Sequence, residues 1–311
     1  MGITGAYVFL VGSERSGTTV LGQILDRHPD IAQWYEPYFV WDKYFRLAPH
    51  DARSAGDATP RVISQVFNDF ERYRKKQNKP VIFDKSPRNS LKIPFILKIF
   101  PNARFVHMLR DGRDATLSIN KEWHRRAAII GKPGGTQKFD YIEALKVIRA
   151  WLKRQPFLKD RLRAFWFETH GHLLDKKKNL NRLRWHGEIG WGPRFKGWEK
   201  AFDKCSRLEF NALQWAHCVS AIRDNWALIP EENKVEIRYE QFISEPRRIL
   251  TDLLDRMDVS PPQSFFSSIP QLKKTNFNKW QREFTSAQID QIKPILNPLL
   301  DRLGYTEETP W

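Results

Sequence analysis

Short apolar runs, separated by glycine, proline and charged residues, set the pattern of this chain. Four of these runs have the length and composition of a buried strand: residues 6–11, 81–84, 104–109 and 234–238. Between and after them, apolar positions recur every three or four residues, which predicts helices at 18–27, 91–100, 112–120 and 285–304. Strands that alternate with helices indicate an α/β fold, a mostly parallel sheet flanked by helices in three layers.

The middle of the chain has a different character. Residues 121–200 are rich in Trp, Arg and Lys and contain clusters of glycine and proline. We interpret residues 121–234 as a helical and loop insertion rather than an independent domain. The prediction is one domain over 1–311, with its core formed by 6–120 and 235–305.

Composition adds a strong positive charge. The chain has 52 Lys and Arg against 36 Asp and Glu, a net charge of +16, which favours a nucleotide, a nucleic acid, an acidic polysaccharide or a membrane surface as partner. No apolar stretch approaches the ~18 residues of a transmembrane helix, and the first residues lack the pattern of a secretory signal. Cys205 and Cys218 have no metal-ligand spacing. We therefore expect a cytoplasmic protein with free thiols.

The first strand leads into a phosphate-binding pattern, GSERSGTT at residues 12–19. Its glycines have the spacing of a nucleoside-triphosphate loop, but Thr18 stands where that loop has its Lys. Backbone N–H groups, the Thr18 and Thr19 hydroxyls and the Arg15 guanidinium would together hold an anion. The missing Lys argues against a kinase or triphosphatase and suits a single 5′-phosphate that carries a further anionic group. A glycine-rich turn that binds nothing is the alternative.

A second motif, LRDGRDATLS at residues 109–118, follows the strand at 104–109. Together the two motifs resemble the 5′-phosphosulfate loop and the 3′-phosphate motif of sulfotransferases that use 3′-phosphoadenosine 5′-phosphosulfate (PAPS). The resemblance implies that Arg110 and Ser118 contact the 3′-phosphate. It implies that the 5′ end is held by Arg15, Ser16, Gly17, Thr18 and Thr19. The alternative for the second motif is a charged helix N-terminus capped by aspartates.

Two later segments extend the resemblance. RYEQF at 238–242 resembles the family segment near the adenine, which implies that Tyr239 lies close to the purine; a core tyrosine at a strand end is the alternative. Lys273, Lys274 and Thr275 resemble the start of the segment that closes over the 3′-phosphate, although the glycine of the family is missing here. A pair of lysines in a solvated loop is the alternative for these residues.

The resemblance also implies residues for the transfer step. Lys85, in FDKSP, matches a Lys that contacts the sulfonate in related sulfotransferases, and we expect Arg15 to assist it. The cytosolic small-molecule branch has a His base where this chain has Pro87. Protein-tyrosine sulfotransferases instead have a Glu 21 residues after the arginine of the loop, and Glu36 stands at that place, so Glu36 is the predicted general base.

Other interpretations of the base stay open. Glu36 could only orient the acceptor or cap a helix, and a histidine would then replace it. The candidates in the middle segment are His124, His170, His172 and His186. Residues 191–198, WGPRFKGW, are predicted to form either a pocket wall or lid, or a packed structural loop.

The sequence therefore predicts a P-loop-like sulfotransferase fold and transfer of a sulfuryl group from PAPS to a hydroxyl of a sugar, a phenol or tyrosine, or a lipid. We expect a saccharide, peptide or small-molecule acceptor, acidic ones included, on the side of the insertion, and no metal, nucleic acid or membrane span. The competing hypothesis is a basic protein that binds nucleic acid or another polyanion without sulfuryl transfer. The aromatic and basic residues interleaved in 121–200 support that hypothesis.

Overall fold

A parallel sheet forms the centre of the molecule. The computed structural model describes residues 6–130, 162, 163, 166, 184, 185, 188, 189, 192–273 and 276–311. Within them the strands are β1 (Ala6–Val11), β2 (Ile31–Tyr35), β3 (Val81–Lys85), β4 (Arg104–Leu109), β5 (Arg184–Trp185), β6 (Glu188–Ile189) and β7 (Lys234–Arg238). Five of them pair in parallel in the order β2–β3–β1–β4–β7, and β5 and β6 form a separate antiparallel pair.

β2 is the strand of the main sheet that the apolar pattern does not predict. Its sequence, IAQWY, is interrupted by Gln33, and its residues alternate between buried and partly buried positions near its end. In the sheet it lies at an edge and pairs with β3. A half-covered edge strand needs no continuous apolar run, which is the signal that reveals central parallel strands.

Helices connect and cover the strands. The α-helices of the described residues are α1 (Thr18–Leu25), α2 (Tyr38–Trp41), α3 (Pro60–Gln77), α4 (Ile93–Ile99), α5 (Gly112–Ile130), α6 (Trp198–Lys204), α7 (Arg207–Asn225), α8 (Tyr239–Ser244), α9 (Pro246–Arg256), α10 (Gln263–Ser267), α11 (Trp280–Glu283), α12 (Ser286–Arg302) and α13 (Tyr305–Glu308). Short 3-10 helices lie at Ala55–Asp57, Pro87–Leu91, Trp226–Leu228 and Glu231–Asn233. The four predicted helices correspond to α1, α4, α5 and α12. The ends of α1, α4 and α12 differ from the prediction by one or two residues, whereas α5 continues ten residues beyond the predicted end at 120.

The two faces of the sheet bury separate apolar clusters. In β1, Phe9 and Val11 pack with α3 and α4 on one face, and Val8 and Leu10 pack with α1, α8 and α9 on the other. Successive side chains of a strand point to opposite faces, so a fully apolar strand supplies both clusters. This three-layer arrangement confirms the predicted fold class.

A third cluster joins the helices beyond the sheet. The helix α7 begins at a capping box, in which the Ser206 hydroxyl accepts from the N–H of Glu209, and it packs against α5 and α12 around Trp215. This packing fixes the start of α5, because the Trp215 indole N–H donates to the Arg110 carbonyl at 3.1 Å. In the part of the chain that the structure describes, no helix is long and apolar enough to cross a membrane.

Candidate active site

The predicted site residues follow the carboxyl ends of all five parallel strands. Lys85 ends β3, and the other positions come directly after a strand: residues 12–17 after β1, Glu36 after β2, Arg110 after β4 and Tyr239 after β7. The chain runs from β1 to β2 at one edge of the sheet, and from β4 to β7 at the opposite edge, so the direction of the strand order reverses near β1 and β4. Ligands of open parallel sheets bind at such a switch point, outside the carboxyl ends of the strands.

Two glycines shape the loop after β1. Gly12 has φ 151°, and a Cβ there would lie 2.5 Å from the Met108 carbonyl oxygen, so only glycine fits against β4. Its N–H donates to the Ser90 hydroxyl at 2.9 Å, which fixes the entry to the loop. Gly17 has φ 94°, and α1 begins at the next residue, Thr18. The loop therefore turns sharply into a helix start.

The hydroxyl groups of the predicted donor site gather at this helix start. Ser16 and Thr18 are buried, Thr19 is partly buried, and the Ser16 and Ser13 hydroxyl oxygens are 2.6 Å apart. The first N–H groups of a helix lack intrahelical partners and give this end a partial positive charge. Such an arrangement suits a phosphate group.

Arg15 joins the two motifs. Its backbone is left-handed, with φ 62°, a conformation that is uncommon outside glycine. Its Nε donates to the Ser118 hydroxyl at 3.1 Å, and its carbonyl accepts from Arg110 Nη1 at 2.7 Å. The residues predicted for the 5′ and 3′ ends of the nucleotide are therefore in direct contact.

Arg110 and Tyr239 form one packed unit. The Arg110 guanidinium carbon lies 4.5 Å from the centre of the Tyr239 ring, and Nη2 donates to the carbonyl of Asn276. Arg110 Nε is buried and has no hydrogen-bond partner among the described residues. Tyr239 is 5% exposed, and a Cβ on Gly17 would overlap its ring. Tyr239 thus fills the space between the loop and Arg110 and orients the guanidinium.

Lys85 and Glu36 form an ion pair at the end of β3. Lys85 Nζ lies 2.6 Å from Glu36 Oε1, and the Lys85 carbonyl accepts from the Glu36 N–H at 3.0 Å. Burial alone would lower the pKa of Lys85, but the charge of Glu36 and the nearby Tyr35 outweigh it and raise the pKa above its ordinary value. Glu36 has φ 47°, and strained backbone of this kind is concentrated at functional sites.

A second carboxyl group lies beside this ion pair. Glu14, in the loop itself, is 7% exposed, and its Oε2 is buried with no hydrogen-bond partner in the described part of the chain. Burial and the charge of Glu36 raise the pKa of Glu14 to about 8, although a backbone hydrogen bond and the charges of Lys85 and Arg88 oppose the shift. Burial therefore favours the neutral form of this carboxyl group near pH 7.

Buried ion pairs support the Glu36 side of the site. The Arg88 guanidinium lies over the Tyr38 ring at 4.2 Å, and its Nε lies 3.5 Å from Asp51 Oδ2. Asp51 also pairs with Arg194 Nη2 at 3.1 Å and accepts from the Arg194 N–H at 2.8 Å. Burial opposes ionisation of Asp51, but Arg88, Arg194 and Lys92 together lower its pKa below the ordinary value.

The Asp51–Arg194 pair anchors the segment 192–198 to the rest of the protein. Arg194, Phe195 and Trp198 are buried, and the Trp198 indole donates to the Pro49 carbonyl at 2.6 Å. Of the two interpretations of residues 191–198, the packed structural loop fits the part described, which begins at Gly192. Trp191 lies outside the described residues.

Other predicted residues contribute less or fall outside the description. Lys273 is exposed, and its carbonyl accepts from the Asn276 N–H at 3.3 Å; Lys274 and Thr275 lie outside the described residues. His124, on α5, contacts Arg207 through its Nε2 at 2.7 Å. His170, His172 and His186 lie outside the described residues, so their roles stay predictions.

Several residues of the site have no place in the sequence prediction, and Asn276, Ser90 and Glu14 are examples. Asn276 and Ser90 act through Arg110 and Gly12, and no local pattern marks a residue whose contact is made across the fold. Glu14 had a signal, since an acidic residue inside an anion-binding loop is electrostatically unfavourable unless it is neutral. Among the described residues no cluster of three or more His, Cys, Asp or Glu side chains could hold a metal ion. Transfer without a metal stays a prediction.

Sequence comparisons identify the family of this chain. A model of the sulfotransferase family matches residues 7–170. The protein-tyrosine sulfotransferase of Drosophila melanogaster is 29% identical over 312 residues, covering 96% of this chain and 51% of that protein. The nodulation protein NoeE of Sinorhizobium fredii is 28% identical over 131 residues, covering 37% of this chain and 31% of that protein. The aligned part of this chain thus spans about half or less of these relatives.

Solved structures share the fold. The sulfotransferase domain from the curacin biosynthetic pathway has a TM-score of 0.56 at 12% identity, with 96% of this chain and 97% of that chain covered. The sulfotransferase domain from the Synechococcus PCC 7002 olefin synthase has a TM-score of 0.52 at 13% identity, with 95% of each chain covered. These likenesses support the three-layer architecture.

Proposed function

Because this chain belongs to the sulfotransferase family, we propose that it transfers a sulfuryl group from PAPS to a hydroxyl group of an acceptor. One observation carries the proposal. The five strand ends bring an anion-binding loop, the Arg110–Ser118 motif and the Lys85–Glu36 pair to one edge of the sheet.

The donor fits the residues on one side of this edge. The start of α1 and the loop hydroxyls suit the 5′-phosphate, and Arg15 adds a full positive charge. Arg110 and Ser118 suit the 3′-phosphate, since the buried Arg110 Nε has a donor hydrogen to offer. PAPS, when bound, supplies the sulfuryl group and leaves as 3′-phosphoadenosine 5′-phosphate (PAP).

The transfer step is assigned to Glu36 and Lys85, on the other side of this sheet edge. A bond forms between the acceptor oxygen and sulfur while the bond from sulfur to the 5′-phosphate oxygen breaks, and the acceptor loses its proton. Glu36 is the carboxylate placed to take that proton. Lys85 is a cation at the same point and stabilises the negative charge that develops on the leaving oxygen. The negative charge on the leaving oxygen competes with Glu36 for Lys85, so the carboxylate becomes more basic as the transfer proceeds.

The acceptor is a hydroxyl group of a saccharide, a peptide or a small molecule. The name of the Drosophila melanogaster relative makes tyrosine the first acceptor to try. Arg88 and Tyr38 adjoin Glu36 and offer a cation and a ring to an aromatic or acidic acceptor. A panel of a tyrosine peptide, a simple phenol and an oligosaccharide, scored by PAP release, tests the acceptor class.

A thermal-shift titration with PAP, ATP and AMP tests the donor site. PAP at about 100 times its dissociation constant should stabilise the protein by about 2.7 kcal/mol, and the other nucleotides should not. Arg110→Ala and Ser118→Ala should lose the shift, while Arg256→Ala, an exposed arginine at the end of α9, should keep it. Equal shifts with all three nucleotides, or none, would refute the proposal.

A further inference from the structure

Glu14 is a residue of the donor loop to which no part of the transfer chemistry assigns a task. It lies between Ser13 and Arg15, in a loop whose other features all favour an anion. Glu14 is only 7% exposed, and its Oε2 has no hydrogen-bond partner in the part of the chain that is described. An ionised carboxylate in that position would leave a charged oxygen, Oε2, buried without a hydrogen bond.

The charged and titratable groups around Glu14 come from several elements. They are Lys85 at the end of β3, Glu36 and Tyr38 after β2, Arg88 in the 3-10 helix Pro87–Leu91, and Cys218 on α7. The two cations already have acidic partners: Lys85 pairs with Glu36 at 2.6 Å, and Arg88 pairs with Asp42 at 3.3 Å. Both nearby cations are therefore already paired with other carboxylates, and neither forms an ion pair with Glu14.

We propose that Glu14 is a proton-bearing positioning residue of the donor site, and that the nucleotide binds tightly only while this carboxyl group is neutral. The inference rests on the proposed function, because the ligand is PAPS or its product PAP. An ionised Glu14 would repel the 5′ end of the nucleotide and compete with it for Lys85, whose charge acts on Glu14. The neutral group removes that repulsion and keeps a hydroxyl that can donate one hydrogen bond.

The proposal predicts that binding and protonation are linked. Above a pH of about 8, where free Glu14 loses its proton, binding of PAP must return one proton to it. The affinity for PAP should then fall about tenfold for each pH unit, and the uptake of one proton should appear in calorimetry as a dependence of the binding enthalpy on the buffer. The phosphates of PAP do not interfere, since their second pKa is about 6.

The groups near Glu14 named in this paragraph do not change their protonation between pH 7 and pH 9. Interactions with Glu36 raise the pKa of Lys85 above its ordinary value despite burial, and burial raises the pKa of Tyr38 and Cys218. These three groups therefore keep their protons between pH 7 and pH 9. Arg88 keeps its charge throughout, because an arginine beside two aspartates holds its proton more tightly than a free one.

Isothermal titration with PAP between pH 7 and pH 9 tests the proposal, with Glu14→Gln as the variant and Glu199→Gln, an exposed residue on α6, as the matched control. Wild type and the control should lose affinity above pH 8, and Glu14→Gln should bind with the same affinity throughout. Identical pH profiles for wild type and Glu14→Gln would overturn the proposal while leaving the donor site intact. Failure of PAP to bind wild type at pH 7 would overturn the proposed function as well.

A stability measurement shows whether Glu14→Gln reports on the same group. The pKa of Glu14 is raised on folding, so wild type binds more protons when folded and loses stability as the pH rises from about 4.3, the unfolded value, to about 8. Glu14→Gln lacks that loss and should melt at a higher temperature than wild type at pH 8.5, by a margin that shrinks toward pH 5. Equal melting temperatures at pH 8.5 would contradict the buried neutral carboxyl and the proposal with it.

Discussion

The Lys85–Glu36 pair illustrates how much of this site is decided by single side chains. The Lys85 side chain is 4% exposed, whereas the Glu36 side chain is 26% exposed. The cation is therefore fixed by packing, and the carboxylate is the accessible partner. An acceptor that approaches from solvent meets the carboxylate first, as proton removal requires.

Glu36→Gln should separate proton transfer from donor binding. The amide preserves shape but cannot take a proton, so turnover should fall by about 100-fold or more while PAP binding is retained. Turnover is measured as PAP release with the best acceptor of the panel, and binding by thermal shift. Near-normal turnover would move the base elsewhere, with His124 as the first described candidate.

At the scale of elements, the donor site depends on how a strand passes into a helix. The β1–α1 connection needs Gly17 for two reasons, its φ of 94° and the Tyr239 ring that occupies the place of a Cβ. Gly197, which precedes α6, shares the backbone requirement with φ 83° but has open space where a Cβ would lie. The two glycines therefore separate backbone strain from steric overlap.

Gly17→Ala should abolish the thermal shift with PAP, because the loop or Tyr239 must move and Arg110 moves with it. Gly197→Ala should keep the PAP shift and cost only the strain of a left-handed residue, about 1–2 kcal/mol. Melting curves with and without PAP measure both effects. If Gly17→Ala binds PAP as well as Gly197→Ala does, the Tyr239–Gly17 contact does not shape the donor site.

Asp51→Asn should loosen the support beneath the acceptor side. The partly buried Arg88 and the buried Arg194 would lose their shared carboxylate, and removal of one partner from a buried ion pair typically costs about 3–5 kcal/mol. Denaturant unfolding at pH 7 measures the loss; Asp290→Asn, at an exposed position on α12, should change stability by about 0.5 kcal/mol or less.

Acid conditions provide a second readout for Asp51. Its pKa is lowered on folding, so its stabilising effect is full above the unfolded value of about 3.9 and is lost as the pH falls toward the folded value. The stability difference between wild type and Asp51→Asn should therefore shrink on acidification below pH 4. A difference that stays constant to pH 2 would mean that the ion pairs are not its source.

For the whole molecule, the dominant property is the net charge of +16. Such a charge attracts any polyanion, and the competing hypothesis of a nucleic-acid-binding protein starts from it. The two kinds of binding differ in origin. Nucleic acid would be held by many scattered cations at the surface, whereas PAP would be held by a few groups at the strand ends, such as Arg15 and Arg110.

The salt dependence of binding should distinguish nucleic-acid binding from PAP binding. Between about 50 mM and about 200 mM salt, binding of random duplex DNA that uses six or more cations should weaken by about 1,000-fold or more. PAP affinity should fall by about tenfold or less, since few charges are neutralised. Fluorescence anisotropy with labelled DNA and calorimetry with PAP give the two dependences. DNA binding that survives physiological salt, together with no response to PAP, would favour the competing hypothesis.

The sequence by itself determined four strands of the main sheet, β1, β3, β4 and β7, the helices that follow β1, β3 and β4, and the positions of the two phosphate motifs. Continuous apolar runs such as that of β1 are required in a strand buried on both faces, and glycines such as Gly17 are required where φ is positive. Both demands are local, so they are visible in the chain without its fold. The edge strand β2 was not predicted from the sequence, because half of its surface needs no apolar side chain.

The tertiary structure alone decided which side chains meet. Lys85 and Glu36 are 49 residues apart and pair because β2 and β3 end together; Arg110 contacts Asn276 across 166 residues. The raised pKa of Glu14 likewise depends on burial and on charged side chains from other elements, none of which leaves a mark beside it in the chain. Contact, burial and the pKa values that follow from them are properties of packing, and packing exists only once the strands lie side by side.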